Sequence, residues 1–439
     1  MRINRRDAVK ALIAGFAAPP VLPVRTAHAA GGVAGCHSFA LDNGFRTHFI
    51  ANGSGYVSAA LVLRSKEITH DGLAHMFEHT SWSGAAGSMS ADDKGRLQKA
   101  FIQDSNATTQ LGALKWYAAF LPQNLPHVTA LLADISLDQK FDIETVAEQA
   151  NVVREELYLE KYTPDKLAQC RFDRELFGPS HPYAKDTMEQ EIARCKIRPA
   201  TLAMQLRDFA TAVRLPANMD LFLVGSVEPA DVEGLVKRHF GRFPFAQGSR
   251  LELPPVAVTR TYCSLVETSH ELRRPMVDLH LGWNTGVCIT SAEAATMLAL
   301  GEYLAAALFD ELREKYGDTY TPEVSYEPDG CSGIMRISIS SSKDPEKVEQ
   351  RVFDVIGMMK AGIDATELNS LRDRVLLKRR KEANDNEVIL ACLMEHALDG
   401  GSLHGVTAET VTCDEVLAAA RRYLPSHRQG YVRLALKGQ

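Results

Sequence analysis

Pro244, Gly248, Ser249, Pro254 and Pro255 fall within twelve residues, and after them the chain starts over. Proline and glycine at this density interrupt both helix and strand, so the segment reads as a linker. On each side the same grammar runs: strands, then helices, then a closing strand. The pattern predicts an α+β protein of two similar domains, each a mainly antiparallel sheet packed with helices. The expected boundaries are 30–245 for the first domain, 246–260 for the linker and 261–439 for the second. A length of 439 residues suits two such domains. Hydrophobic residues at 45% and charged residues at 24% exclude a disordered or fibrous chain. No apolar run approaches the roughly 20 residues of a membrane helix, so no integral membrane segment is expected. The net charge of -6, with no local basic patch, argues against nucleic acid as a partner.

In the first half, the Asn43-Gly44 turn marks a hairpin, and Val57 to Leu63 is an apolar, β-rich run. Helices are expected over 70–82, over 90–101 with Ser90 as N-cap, and over 125–137, 143–161 and 229–240. Strands are expected over 115–121 and 220–227. In the second half, strands are read at 277–283, 320–326, 334–340 and 431–436. Helices there are read at 292–315, 345–360, 365–386 and 407–423.

The first 29 residues form a separate object, expected to be a signal peptide of twin-arginine type. Arg2, Arg5, Arg6 and Lys10 precede an apolar stretch from Ala11 to Leu22, and Ala27-His28-Ala29 follows as a small-x-small cleavage site. Asn4 to Lys10 resembles the bacterial twin-arginine export motif, departing from it where Asp7-Ala8-Val9 replaces the usual large apolar pair. Cleavage after Ala29 removes five of the 49 basic residues and one of the 55 acidic ones, leaving a net charge of -10. An acidic periplasmic protein is expected. None of the eight cysteines forms a CxxC pair, which argues against a thiolate zinc ribbon. Which of them pair, if any, stays open.

The chemistry concentrates in His75-Met76-Phe77-Glu78-His79. Side chains four apart share one helix face, so His75 and His79 can present two imidazoles to one metal ion. Glu78 leans over the same place. Two neutral histidines suit zinc, with a carboxylate as third ligand and water as fourth. A carboxylate beside that water can take its proton, so Glu78 is the candidate general base. The order H-x-x-E-H is the inverse of H-E-x-x-H. Downstream, Glu148, Val152, Glu155 and Glu156 lie at helical spacings, and either of the last two can supply the carboxylate.

Gly72-Leu73-Ala74-His75-Met76-Phe77-Glu78-His79 and the segment Glu148 to Glu156 together resemble the pitrilysin/insulinase zinc peptidases, which include the mitochondrial processing peptidase. That family shows G-L-A-H-x-x-E-H and then E-R-x-x-V-x-x-E at the matching distance downstream. Seventy-five residues separate His79 from Glu155. The resemblance implies one zinc per chain, held by His75, His79 and Glu155, with Glu148 as a supporting acidic residue. Gln149 stands where the family usually has Arg, and Glu156 remains the alternative ligand by adjacency. The resemblance also implies that Asn106 and Ala107, on a sheet edge, hold the backbone of an extended peptide substrate. Ile102-Gln103-Asp104 stands in place of the family's glycine-rich turn there. As a plain sequence feature, Asn106 is a turn residue.

In the second half, Leu312 to Tyr320 resembles the family's L-R-E-x-x-x-x-x-Y segment. It implies that Arg313 and Tyr320 reach an active site from the opposite half, with Tyr320 donating to the developing oxyanion. By the same resemblance one chain is half of a closed clam-shell chamber for short unfolded peptides. The expected assembly is therefore a homodimer, or a heterodimer with a related subunit. Two other readings stand beside a general endopeptidase. One is a catalytically idle scaffold or partner subunit, which the family contains. The other is a processing peptidase dedicated to one precursor. Cys392-Leu393-Met394-Glu395-His396 echoes the motif but reads as coincidence. Trp82, Trp116 and Tyr117 read as core.

Overall fold

The computed structural model describes residues 35–319, 321–362, 365–382, 384–399 and 411–439. The expected signal segment lies outside the described residues. In the first half the elements run β1 (Cys36–Ala40), β2 (Arg46–Ala51), β3 (Val57–Arg64), α1 (Leu73–Ser83), α2 (Ala91–Phe101), β4 (Asp104–Gln110), β5 (Ala113–Phe120), α3 (Leu125–Leu137) and α4 (Ile143–Glu156). A π-helical turn (Leu157–Lys161) follows, then α5 (Pro164–Phe177), α6 (Met188–Cys195), α7 (Pro199–Val213), β6 (Met219–Gly225) and α8 (Pro229–His239). The second half has β7 (Cys263–Ser269), β8 (Val277–Asn284), α9 (Ala294–Leu308), a π-helical turn (Phe309–Lys315), β9 (Glu323–Pro328) and β10 (Gly333–Ser341). It ends with α10 (Pro345–Ala361), α11 (Ala365–Glu382), α12 (Asn386–Asp399), α13 (Cys413–Tyr423) and β11 (Val432–Gly438).

Each half builds its own sheet. The first has the order β1-β2-β6-β3-β5-β4 and the second β7-β11-β8-β10-β9. In both, the closing strand pairs parallel with the first long strand, β6 with β2 and β11 with β7. The remaining neighbours are antiparallel. The order is the same in both sheets apart from the extra β1. The Asn43-Gly44 turn joins β1 to β2.

β3 and β6 are apolar on both faces, so the first sheet must be covered twice. Leu61, Leu63, Leu114, Trp116, Leu221 and Leu223 pack under the first half's own helices. On the other face Ala60, Val62, Phe222 and Val224 meet Leu390, Leu393 and Met394 of α12, a helix from the second half. The second sheet is covered in the same way. Leu279, Leu281, Met335 and Ile337 pack with α9, α10 and α13. Its other face, with Ile334, Val432, Leu434 and Leu436, takes Ala168, Phe172 and Leu176 of α5 from the first half. Gly282 makes room for the Phe172 ring, whose Cζ would lie 2.7 Å from a β-carbon there. Asn386 at the start of α12 donates to Ser54 Oγ at 2.9 Å, and Arg336 of β10 pairs with Asp173 of α5 at 2.9 Å.

A charge cluster fixes the α12 face of the first sheet. Asp220 is 1% exposed on β6 and takes a two-pronged ion pair from Arg46 at 2.6 and 2.8 Å. His48 lies at 3.4 Å and Arg64 at 3.7 Å, and Arg64 also donates to the Leu398 carbonyl of α12 at 2.7 Å. Burial alone would raise the Asp220 pKa. The bonds from His48 and Arg46 outweigh burial and hold it down at about 2. Asp220→Asn leaves two arginines facing a neutral amide, and breaking a buried pair costs about 3–5 kcal/mol. Because the folded-state pKa is depressed, the charge contributes stability above the unfolded value of about 3.9 and loses it as pH falls towards 2. Denaturant melts are expected to separate the variant from the native chain by that amount at pH 7 and to converge near pH 2. Equal midpoints at pH 7 would remove the cluster from the fold's supports.

Candidate metal centre

Helix α1 is amphipathic about its ligands. Met76 and Phe77 are buried, and the Phe77 ring meets Trp116 and Phe209 edge-on. The other side carries His75, Glu78 and His79. Gly72 precedes the helix with φ of 91°. A β-carbon there would lie 3.1 Å from Glu191 Cα and 3.0 Å from Arg194 Cβ, so glycine lets α6 lie against the start of α1. Arg194 locks that contact by pairing with Asp71 at 3.0 Å. At the far end, Lys94 of α2 donates to the Ser81 carbonyl at 2.7 Å and so satisfies one of the helix's terminal carbonyls. Burial pushes the Lys94 pKa down to about 7.

Helix α4 brings the carboxylate. Its N-cap Asp142 accepts from the Thr145 N–H at 2.8 Å, and Val146, Ala150 and Val153 form its buried stripe. Glu156 Oε2 lies 3.2 Å from His79 Nε2 and 3.6 Å from His75 Nε2. Among the described residues, His75, His79 and Glu156 form the group that can hold a metal ion, with ligand atoms within 4.8 Å of one another. Ligand atoms about 2 Å from a tetrahedral zinc stand roughly 3.3 Å apart, so two imidazole nitrogens and a carboxylate at these spacings fit that ion and leave a fourth position open.

The third ligand implied by the resemblance therefore moves by one residue. Glu155 is turned outward, with its side chain 65% exposed against 25% for Glu156, and lies 3.9 Å from Arg154. Each residue advances a helix by about 100°. Glu155 follows the buried Val153 by two positions and points nearly opposite to it, while Glu156 follows by three and stays on its flank. The same phase corrects the expectation for Glu148. It comes two residues after the buried Val146 and is exposed, so it does not support the site.

Around the three ligands, Lys161 in the π-helical turn lies 3.3 Å from Glu156 Oε1, leaving Oε2 towards the histidines. Glu191 of α6 bonds His75 Nδ1 at 3.1 Å. Burial would lower the His75 pKa, but the bonds to Glu156 and Glu191 outweigh it and hold it at about 9 in the metal-free protein. Burial would raise Glu156, but the two histidines hold it well below the usual carboxylate range. Glu78 stands beside the group, and Thr109 Oγ1 of β4 donates to its Oε2 at 2.5 Å.

β4 is the edge strand of the first sheet and pairs on one side with β5. Ala107 packs towards the helical core beside Trp116, while Asn106 alternates to the opposite face, its Oδ1 accepting from the Ala107 N–H at 2.8 Å. Arg313 lies in the π-helical turn after α9, over the Phe309 ring and 3.5 Å from Glu314. Tyr320 lies outside the described residues. The Cys392-to-His396 echo lies on α12, with Leu393 and Met394 buried against the first sheet. No disulfide joins any of the eight cysteines. The sequence reading missed Thr109, Lys161 and Glu191, none of which stands at a motif spacing. Glu156→Ala is expected to abolish stoichiometric zinc binding, and Glu155→Ala to retain it, as read by metal analysis after dialysis. The reverse pattern would restore Glu155 as the ligand.

Comparison with known proteins identifies the family. The family model described as "Insulinase (Peptidase family M16)" matches residues 64–176, and the one described as "Peptidase M16 inactive domain" matches 202–375. An uncharacterized zinc protease of Mycobacterium tuberculosis is 26% identical over 395 residues, covering 85% of this chain and 86% of the relative. Among solved structures, a protease from Helicobacter pylori shares the fold with a TM-score of 0.77 at 16% identity, over 92% of this chain and 99% of that one. The periplasmic protease PqqL from Escherichia coli does so with a TM-score of 0.74 at 15% identity, over 94% of this chain and 48% of its own. With both halves matched by domain models of one family and the fold shared along most of its length, the chain belongs to the pitrilysin/insulinase family of zinc peptidases, family M16.

Proposed function

We propose that the chain is an exported zinc metalloendopeptidase that hydrolyses peptide bonds in short, extended peptides. The observation that carries this reading is the His75–His79–Glu156 triangle with Glu78 beside it, tied through Thr109 to a sheet edge. Zinc held there supplies Lewis acidity, polarising a carbonyl and making a water easier to deprotonate. The protein's own residues do the rest. Glu78 takes the proton of the attacking water and passes it to the leaving amine. Thr109 fixes the rotamer of Glu78 by holding one carboxylate oxygen. The outer edge of β4 pairs with the substrate backbone, which sets the scissile bond over α1. Arg313 and Tyr320 act on the substrate from the second half, either of the same chain or of a partner in a homodimer or a related heterodimer.

An idle scaffold is the weaker reading, because the ligands and the base are all present and assembled. The family model described as inactive covers 202–375, outside the metal-binding motif. A processing peptidase for one precursor shares the chemistry and differs in the peptides cut. Export is supported by the order of features in the first 29 residues and by the name of the periplasmic neighbour.

Purified protein incubated with a mixed peptide pool, read by mass spectrometry, is expected to cleave it, and a zinc chelator to stop the cleavage. Glu78→Gln is expected to keep zinc and to lose at least about 100-fold in rate. Cleavage that survives the chelator, or normal turnover by Glu78→Gln, would sink the mechanism.

A further inference from the structure

We propose that Glu191 is the positioning residue of the metal centre, a carboxylate from a separate helix that sets the tautomer and angle of the His75 imidazole. It lies 116 residues from His75 in sequence, on α6, and is 8% exposed. Its Oε2 meets His75 Nδ1 at 3.1 Å, and its Oε1 accepts from Thr187 Oγ1 at 3.2 Å, so both oxygens are engaged. A neutral imidazole has one N–H and one lone pair. An anionic acceptor at Nδ1 requires the N–H to be there, which leaves the lone pair on Nε2. That is the nitrogen facing Glu156 Oε2 and the metal position. A carboxylate behind a ligating histidine also raises the basicity of the ring.

Two further features hold Glu191 in place. Gly72 admits α6 against the start of α1, and the Arg194–Asp71 pair fastens it there. The support expected from Glu148 on the ligand helix is thus supplied by a different element. Glu191 touches neither substrate nor the open metal position; it acts through His75. The assignment rests on the metallopeptidase reading only for the identity of the ion.

The test compares native protein, Glu191→Gln, Glu191→Ala and Thr187→Val. Zinc affinity is measured by competition with a fluorescent chelator, and kcat and KM are measured on one cleaved peptide at saturating zinc. Glu191→Ala is expected to bind zinc 10–100-fold more weakly, the range seen when outer carboxylates of metal-bound histidines are removed. Glu191→Gln keeps an acceptor oxygen and is expected to lose less. Thr187→Val, which leaves the carboxylate in place, is expected to lose least, and Glu191→Gln keeps the test valid if Glu191→Ala fails to fold. The loss in activity is expected in kcat with KM unchanged. In the zinc-loaded native protein the His75 Nδ1–H proton is expected as a downfield, exchange-protected resonance that disappears in Glu191→Ala. Zinc affinities of Glu191→Gln and Glu191→Ala within twofold of native, with the proton resonance unchanged, would overturn the role while leaving the peptidase reading intact. Native protein that binds zinc and cuts no peptide would overturn the peptidase reading and leave the role of Glu191 to the affinity data.

Discussion

Neither sheet can be covered by its own half. A strand such as β6, buried along its whole length, presents apolar side chains to both faces, and an uncovered face of that size would stay exposed to water. The molecule meets this constraint by exchange. The first half lends α5 to the second sheet, and the second half lends α12 to the first. Polar anchors fix the register of the exchange, with Asn386 at one end of α12 and the Arg64–Asp220 cluster at the other. Two sheets that look separable in sequence are therefore one packed body.

The metal centre inherits its rigidity from this arrangement. The buried side of α1 packs into the first core through Phe77, which leaves His75 and His79 on the side that α4 and α6 approach. Covering both faces of the sheet still leaves β4 as an edge, paired with β5 alone among the described strands. The metal-ligand group and the β4 edge thus lie at the same corner of one sheet. Thr109 is the physical link, with its backbone in the edge strand and its hydroxyl on Glu78.

Much of this was legible in the sequence, for definable reasons. The linker prolines, the Asn43-Gly44 turn and the alternating strands are local signals. H-x-x-E-H is local too, since one helical turn decides it. What failed was phase and distance. A helix read from 143 to 161 does not reveal which of two adjacent glutamates faces inward. That depends on Val146, Ala150 and Val153 being the buried stripe, which only packing shows. The stretch 164–213 gave no reading, although it forms α5, α6 and α7. α5 is rich in charges and α6 is only eight residues long, and the apolar faces of these helices are matched by partners far along the chain. α12 was missed because its apolar side answers a sheet in the other half. Glu191 was unreadable for the same reason, because its partner lies in a helix more than a hundred residues away.

Among the described residues the metal-ligand group lies in the first half, and the shared strand order lets the corresponding helix of the second half be compared with it. α9 follows β8 in the second sheet as α1 follows β3 in the first. Where α1 has two histidines and a glutamate, α9 reads Ala-Ala-Thr-Met-Leu-Ala-Leu-Gly, and nearly all of it is buried. A helix that presents ligands must keep polar groups at the edge of a core, and each of those groups needs a partner to offset its desolvation. α1 meets that demand with Glu156, Glu191 and Thr109, drawn from three other elements. α9 carries no histidine, and its opening turns pack as core. The second half can therefore hold its fold without a metal-ligand group of its own, and it covers the first sheet by supplying α12.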